Sequence, residues 1–175
     1  MAVDRIMKLN ELTCVSSNVS LTDYLKLYKY VRDNMPHPEW LGTFIEKEII
    51  DILNNGGKIW LYYDAKTPVC SMFYIPANNK SLRKHNISPD EELTSALGPI
   101  MVSPDYLGNG LQNQMLKVFE DYCLSVNKKY IFTKVHKDNI YCINNILKNN
   151  YQVRDEYENE CGMNLALLKK LEMKK

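Results

Sequence analysis

Ile100-Met101-Val102-Ser103-Pro104-Asp105-Tyr106-Leu107-Gly108-Asn109-Gly110-Leu111-Gln112 joins the end of a strand to the start of a helix through a Gly-x-Gly turn. The run Ala96 to Val102 predicts a buried strand. Behind the glycines, Leu111, Met115, Val118, Phe119, Tyr122 and Val126 recur at helical spacing. A helix N-terminus leaves backbone N–H groups unpaired and presents about half a positive charge. Glycine lets the chain turn sharply there and lets an anion come close, because no Cβ intervenes. Leu107 to Gln112 thus reads as a phosphate cradle. Taken alone, the two glycines fit equally well a loop that only enters a helix. No Lys-Ser or Lys-Thr follows them, which excludes a P-loop, and Asn113 stands where a dinucleotide fingerprint needs its third glycine or alanine.

Downstream, Tyr130 to Val135 predicts a strand and Asp138 can cap a helix running to about Lys148. Tyr151 to Tyr157 and Met163 to Leu168 predict a closing hairpin. Upstream, Arg5 to Thr13 alternates enough for an edge strand. Ser20, with Asp23 three residues on, opens a helix with Leu21, Tyr24, Leu25, Tyr28 and Val31 on one face. Met35-Pro36-His37-Pro38 ends it. Thr43 and Glu46 form a second start signal, with Phe44, Ile45, Ile49, Ile52 and Leu53 behind it and Asn54-Asn55-Gly56-Gly57 as the stop. Lys58 to Tyr63 and Val69 to Ile75 predict a hairpin. From Pro76 to Ser95 no period persists, so that segment is either partly helical or a lid.

The chain has 175 residues, room for one domain with its own core. Its formal net charge is +1, too little to supply the basic face that tracks nucleic-acid phosphates. Basic residues gather only in short clusters such as Lys169-Lys170 and Lys174-Lys175. Five scattered cysteines (Cys14, Cys70, Cys123, Cys142 and Cys161) fit neither a disulfide framework nor a zinc site. The isolated His37 and His85 do not point to a metal. No leader pattern opens the chain and no apolar run is long enough for a bilayer. Asn18-Val19-Ser20 and Asn86-Ile87-Ser88 then match the glycosylation pattern by chance. These features predict a reduced, cytoplasmic, soluble protein without membrane or nucleic-acid partners.

Val102 to Leu111 resembles the strand-to-helix segment of the GNAT superfamily of N-acetyltransferases. Val135-His136-Lys137-Asp138-Asn139, a helix, and then Asn150-Tyr151 are similar to that superfamily's next motif, where an aromatic follows the Asn by twelve positions and starts a strand. The element order agrees across essentially the whole chain. The resemblance implies an α+β fold over residues 1–175, a mostly antiparallel twisted sheet of about six to seven strands flanked by about four helices.

It also implies roles. Ile100, Met101 and Val102 would lie on a strand that splays from its neighbour and pair with a pantetheine arm. The Val102 amide would donate to the thioester carbonyl. Leu107, Gly108, Asn109, Gly110, Leu111 and Gln112 would hold the pyrophosphate, and the Asn139 side chain the pantetheine. Acetyl-CoA would be the cosubstrate, with no metal, and the acceptor a primary amine of a small molecule or peptide. Two copies would pair through the final hairpin or the first helices. Leu107, Gln112, Ile146 and Asn150 depart from the superfamily's usual Arg or Gln, Gly or Ala, Tyr and Gly. With Ile146 in place of a tyrosine that protonates the departing thiolate, a non-catalytic acyl-CoA sensor or scaffold is the alternative. Tyr106, Tyr141, His136, Asp105, Glu91 and Glu92 are the candidate bases by type and place. Pro76 to Ser95 is expected to border the acceptor pocket. Asp90, Glu91 and Glu92 hint at a cationic acceptor or simply at a solvated loop.

Overall fold

A computed structural model describes residues 6–88 and 90–173. Arg5, Pro89 and Lys174-Lys175, which figure in the readings above, lie outside the described residues. Among those described, eight strands and five helices form one mixed layer structure. The strands are β1 (Thr13–Val15), β2 (Lys58–Asp64), β3 (Thr67–Pro76), β4 (Thr94–Leu97), β5 (Met101–Val102), β6 (Tyr130–His136), β7 (Gln152–Asn159) and β8 (Gly162–Lys170). The helices are α1 (Leu21–Asp33), α2 (Glu46–Asn54), α3 (Asn79–Lys84), α4 (Leu111–Ser125) and α5 (Ile140–Lys148). The sheet order is β1-β2-β3-β4-β6-β8-β7, with β5 paired to β3. Every strand pair is antiparallel except β4 with β6.

Strand alternation divides the apolar residues between two faces. Trp60, Tyr62, Met72 and Tyr74 pack under α4 and α5 with Leu111, Met115, Leu116, Phe119 and Ile146. Ile59, Leu61, Phe73 and Met101 face the other way, under α1 and α2 with Tyr24, Leu27 and Ile49. Leu82 and Ile87, from and just after α3, cover Phe132, Ala166 and Leu168.

Several expected boundaries move. The first strand is Thr13–Val15; before it, Leu9–Glu11 is a 3-10 turn whose Leu9 is buried. α2 starts at Glu46, since the Ile45 amide is met by the Glu48 carboxylate rather than by a Thr43 cap. Its end is a Schellman closure in which the Gly57 amide reaches the Ile52 carbonyl at 2.8 Å past the left-handed Gly56. The buried stripe of α4 takes Leu116 and Cys123 in place of Val118 and Val126. Asn139, not Asp138, caps α5. The patternless segment holds α3, capped by Asn78. No helix among the described residues is long and apolar enough to cross a membrane.

Candidate functional site

The expected single strand Ala96 to Val102 is broken in two. Between the Tyr74↔Leu97 and Ser71↔Met101 pairs, Gly98, Pro99 and Ile100 stand opposite only Met72 and Phe73. One extra residue makes a bulge, and Pro99 has no amide to give a ladder. Gly98 fits the kink because its amide bonds the Phe73 carbonyl at 2.8 Å, and a Cβ there would lie 2.8 Å from Ile75 Cδ1. β4 pairs with β6 only as far as Leu97↔Thr133. Beyond that point β6 continues against β8 alone and β5 against β3 alone. A gap therefore opens between β5 and β6, and Thr133 Oγ1 closes its apex by donating to the Leu97 carbonyl at 3.2 Å.

Antiparallel alternation sets which amides face that gap. Ser103 donates to the Val69 carbonyl at 2.7 Å, so residue 103 is hydrogen-bonded to β3. The Cys70↔Val102 pair is then a non-hydrogen-bonded one, and Val102 turns its N–H and C=O away from β3, into the gap. Met101 buries its side chain toward α1, while Ile100 and Val102 pack toward α4.

The cradle follows at the same end of the sheet. Pro104–Tyr106 forms a 3-10 turn, Leu107 is 67% exposed, and Gly110 at φ +68 is the N-cap of α4. Gly108 has φ +86. A Cβ on Gly108 would meet nothing within 4 Å, and one on Gly110 only Gln114 Nε2 at 3.9 Å. Protein packing does not require these glycines. Their backbone conformation does, and the space over them is open to an anion.

Two side chains brace this loop. Asn109 Oδ1 accepts from the Met7 amide at 2.8 Å while its Nδ2 donates to the Tyr106 carbonyl. Gln114 Oε1 accepts from the Leu9 amide at 2.9 Å, and its Nε2 donates to the carbonyls of Asn109 and Gly110. The Gln112 side chain turns away from the cradle: Nε2 lies 3.3 Å from Cys142 Sγ, and Oε1 accepts from Asn145. Burial pushes the Cys142 thiol up, so it is a packing thiol there. Asn139 Oδ1 accepts from the Cys142 amide at 3.3 Å, which caps α5 and leaves Nδ2 for a ligand. Ile146 is buried in the core.

A cavity of about 540 Å³ opens beside the gap on the α1–α3 side of the sheet. Its wall is drawn from the loop after α1 (Glu39 to Phe44), α3 and its approach (Pro76, Asn78, Ser81, Lys84), the bulge (Leu97, Gly98, Pro99), β6 and the β7–β8 turn. A second hollow of about 510 Å³, between Ser16, α2 and Tyr122, includes none of the expected site residues.

Among the candidate bases, only His136 borders the cavity. It is 7% exposed, its Nε2 lies 2.9 Å from the Cys161 carbonyl, and its Nδ1 accepts from the Asp138 amide. Both nitrogens are occupied, which assigns the neutral Nε2-protonated tautomer. Tyr106 donates to Asp64 at 2.7 Å, and that carboxylate holds the phenol above its usual range. Asp105 accepts from Tyr30, and Glu91 is exchanged with Asn79 across the start of α3. Tyr141 is 84% exposed, and Glu92 is exposed as well. Lys84, in the Pro76 to Ser95 segment, and Lys134 also line the cavity; sequence reasoning missed Lys134, whose one signal was a lysine within the mostly apolar run Tyr130 to Val135. No group of His, Cys, Asp and Glu able to hold a metal occurs among the described residues.

No family model and no curated protein matches this sequence. Solved structures match its fold. An N-acetyltransferase from Staphylococcus aureus aligns with TM-score 0.66 and 13% identity over 91% of this chain and 99% of its own. A Bacillus subtilis acetyltransferase in complex with CoA gives 0.64 and 11% over the same shares. A GNAT family acetyltransferase from Elizabethkingia anophelis with acetyl-CoA bound gives 0.62 and 14%, covering 91% and 98%. The fold is that of the GNAT acetyltransferases, with a split strand and an added short helix beyond the elements legible in the sequence.

Proposed function

We propose that residues 1–175 form an acetyl-CoA-dependent N-acetyltransferase that transfers the acetyl group to a primary amine by direct attack. The observation that carries the reading is the juxtaposition of two features at one end of the sheet. The gap presents the Val102 amide, and the cradle at Gly108–Gly110 has open space above it. In this reading the Val102 N–H donates to the thioester oxygen as negative charge grows there, and the amides from Leu107 to Gln112 hold the pyrophosphate. Asn139 Nδ2 holds the pantetheine. The acceptor enters from the cavity beside the bulge. CoA and acetyl-CoA in the neighbouring structures support the choice of cosubstrate.

Within this reading none of the candidate bases is placed to take the amine's proton. His136 already donates from one nitrogen and accepts at the other. The catalytic contribution therefore rests on the Val102 amide and on orientation, and the proton leaves to water through the open side of the cavity.

Calorimetric titration with acetyl-CoA, CoA and ADP tests the cradle. Micromolar binding of acetyl-CoA is expected, with about tenfold or greater loss in Gly110→Val, whose side chain occupies the anion's space. Absence of binding at millimolar cofactor removes the reading. Release of CoA thiol above hydrolysis with any amine in a screen of amino acids, polyamines, aminoglycosides and peptides removes the sensor alternative.

A further inference from the structure

The cavity carries two ammonium groups that the fold does not neutralise. Lys84, in the last turn of α3, and Lys134, on β6, both line it. Neither makes an ion pair or a hydrogen bond among the described residues. Lys134 is the first β6 residue past the last β4–β6 pair, so it stands at the apex of the gap. Its ammonium lies 5.9 Å from the Phe132 ring centroid, which leans it back along the strand toward α3 and away from His136.

The other charged and titratable groups on this face are engaged or sit on other parts of the wall. Asp155, in one row with Ala166 and Lys134, is bonded to His85 Nδ1 at 2.9 Å and does not line the cavity. Glu39 is held by His37 Nδ1 at 3.1 Å in the loop that carries Trp40, whose ring lies 6.1 Å from His136. Glu160 sits in the β7–β8 turn beside Cys161, the partner of His136, and Tyr157 is on β7. Lys134 is accessible where it opens into the cavity. The protein around it still removes enough water to lower its pKa, and Lys84 lowers it further. Two like charges that repel each other, neither paired with a carboxylate, are relieved by an anionic ligand.

We propose that the acceptor amine carries an anionic group, a carboxylate or a phosphate, which seats between Lys84 and Lys134 while its amino group reaches the gap at Gly98–Pro99. The cavity's identity as the acceptor site rests on the acetyltransferase reading above. Because Lys134 leaves β6 at the apex of the gap, a short spacer between anion and amine is expected. This reverses the cationic acceptor that Asp90, Glu91 and Glu92 hinted at, because none of those carboxylates lines the cavity.

The test is titration of the full chain, saturated with CoA so that the cradle is filled, with ethanolamine, phosphoethanolamine and β-alanine. Saturable binding of one or both anionic amines is expected, about tenfold or more tighter than ethanolamine. The two anionic arms decide between phosphate and carboxylate. Lys134→Met and Lys84→Met each remove most of the preference, and Lys134→Arg keeps it. Equal affinity for all three amines, no binding of either anionic amine, or a preference that survives both methionine variants overturns the proposal. Repeating the titrations without CoA separates the two readings. Failure of CoA to bind removes the acetyltransferase, whereas a preference dependent on the two lysines stands or falls by itself.

Discussion

His136 shows how a residue's place can reverse what its type promises. An imidazole next to a cofactor motif is a natural base, yet here one nitrogen donates to Cys161 and the other accepts from Asp138. Gly162, at φ +113, is what lets that ring bring Nε2 up to the hairpin turn, because a Cβ there would stand 2.9 Å from His136 Nε2. Gly162→Ala is expected to lower stability by about 1–3 kcal/mol through strain and contact together. Urea denaturation measures it, and an unchanged midpoint would contradict the packing described. Lys134 offers a second residue-scale prediction. Its folded pKa is lowered by loss of water and by Lys84, so the unfolded chain holds that proton more tightly. Stability contributed by this site is missing at neutral pH and returns as pH rises from the folded pKa toward the ordinary value of 10.5. Lys134→Met should therefore raise the urea midpoint at neutral pH and flatten that rise; a loss of stability at every pH would refute the assignment. At this scale the sequence showed which residues could do chemistry but not which were already engaged, since Tyr106–Asp64 and Tyr30–Asp105 join positions far apart in the chain.

Between residue and molecule, the cradle loop is held by the segment that precedes β1. Gln114 alone joins three backbone groups: the Leu9 amide and the carbonyls of Asn109 and Gly110. Gln114→Leu strands those groups at the edge of the core, and we expect about 1–3 kcal/mol of lost stability. Faster amide exchange at Leu9 and several-fold weaker acetyl-CoA binding should accompany it. Unchanged exchange at Leu9 would show that the brace is idle. Elements with a strong period or cap were legible: α1 from Ser20, the β2–β3 hairpin and the β7–β8 hairpin all form close to their expected places. The break between β4 and β5 was not, because a bulge is set by the register opposite Met72 and Phe73 rather than by the local run of apolar residues. Nor was the 3-10 turn at Leu9–Glu11, whose shape answers to Asn109 and Gln114 about a hundred positions away. The glycines of the cradle were readable because their conformation is a property of the residue itself.

The two faces of the sheet meet in β3, whose Met72 and Tyr74 pack under α4 while Phe73 packs under α1. A strand shared in this way couples the side where α4 begins at the Gly108–Gly110 loop to the side where the cavity opens. If the coupling is strong, neither layer can melt alone, and the protein should unfold in one transition. Phe73→Ala is expected to cost about 3–5 kcal/mol by opening a void beneath α1. In a Trp40→Phe background the remaining indole, Trp60, reports on the opposite face, where it packs against Phe119 and Tyr122. The Trp60 fluorescence midpoint in urea should then fall together with the far-ultraviolet circular dichroism midpoint, and by the same free energy. Should the circular dichroism lose amplitude early while Trp60 keeps its midpoint, the α1–α2 layer unfolds on its own. The cavity would then sit on a face able to open without disturbing the cradle. Coincident transitions would mean that the gap, held between β5 and β6 with β3 as the one strand partner of β5 among the described residues, keeps its shape for as long as the whole sheet does.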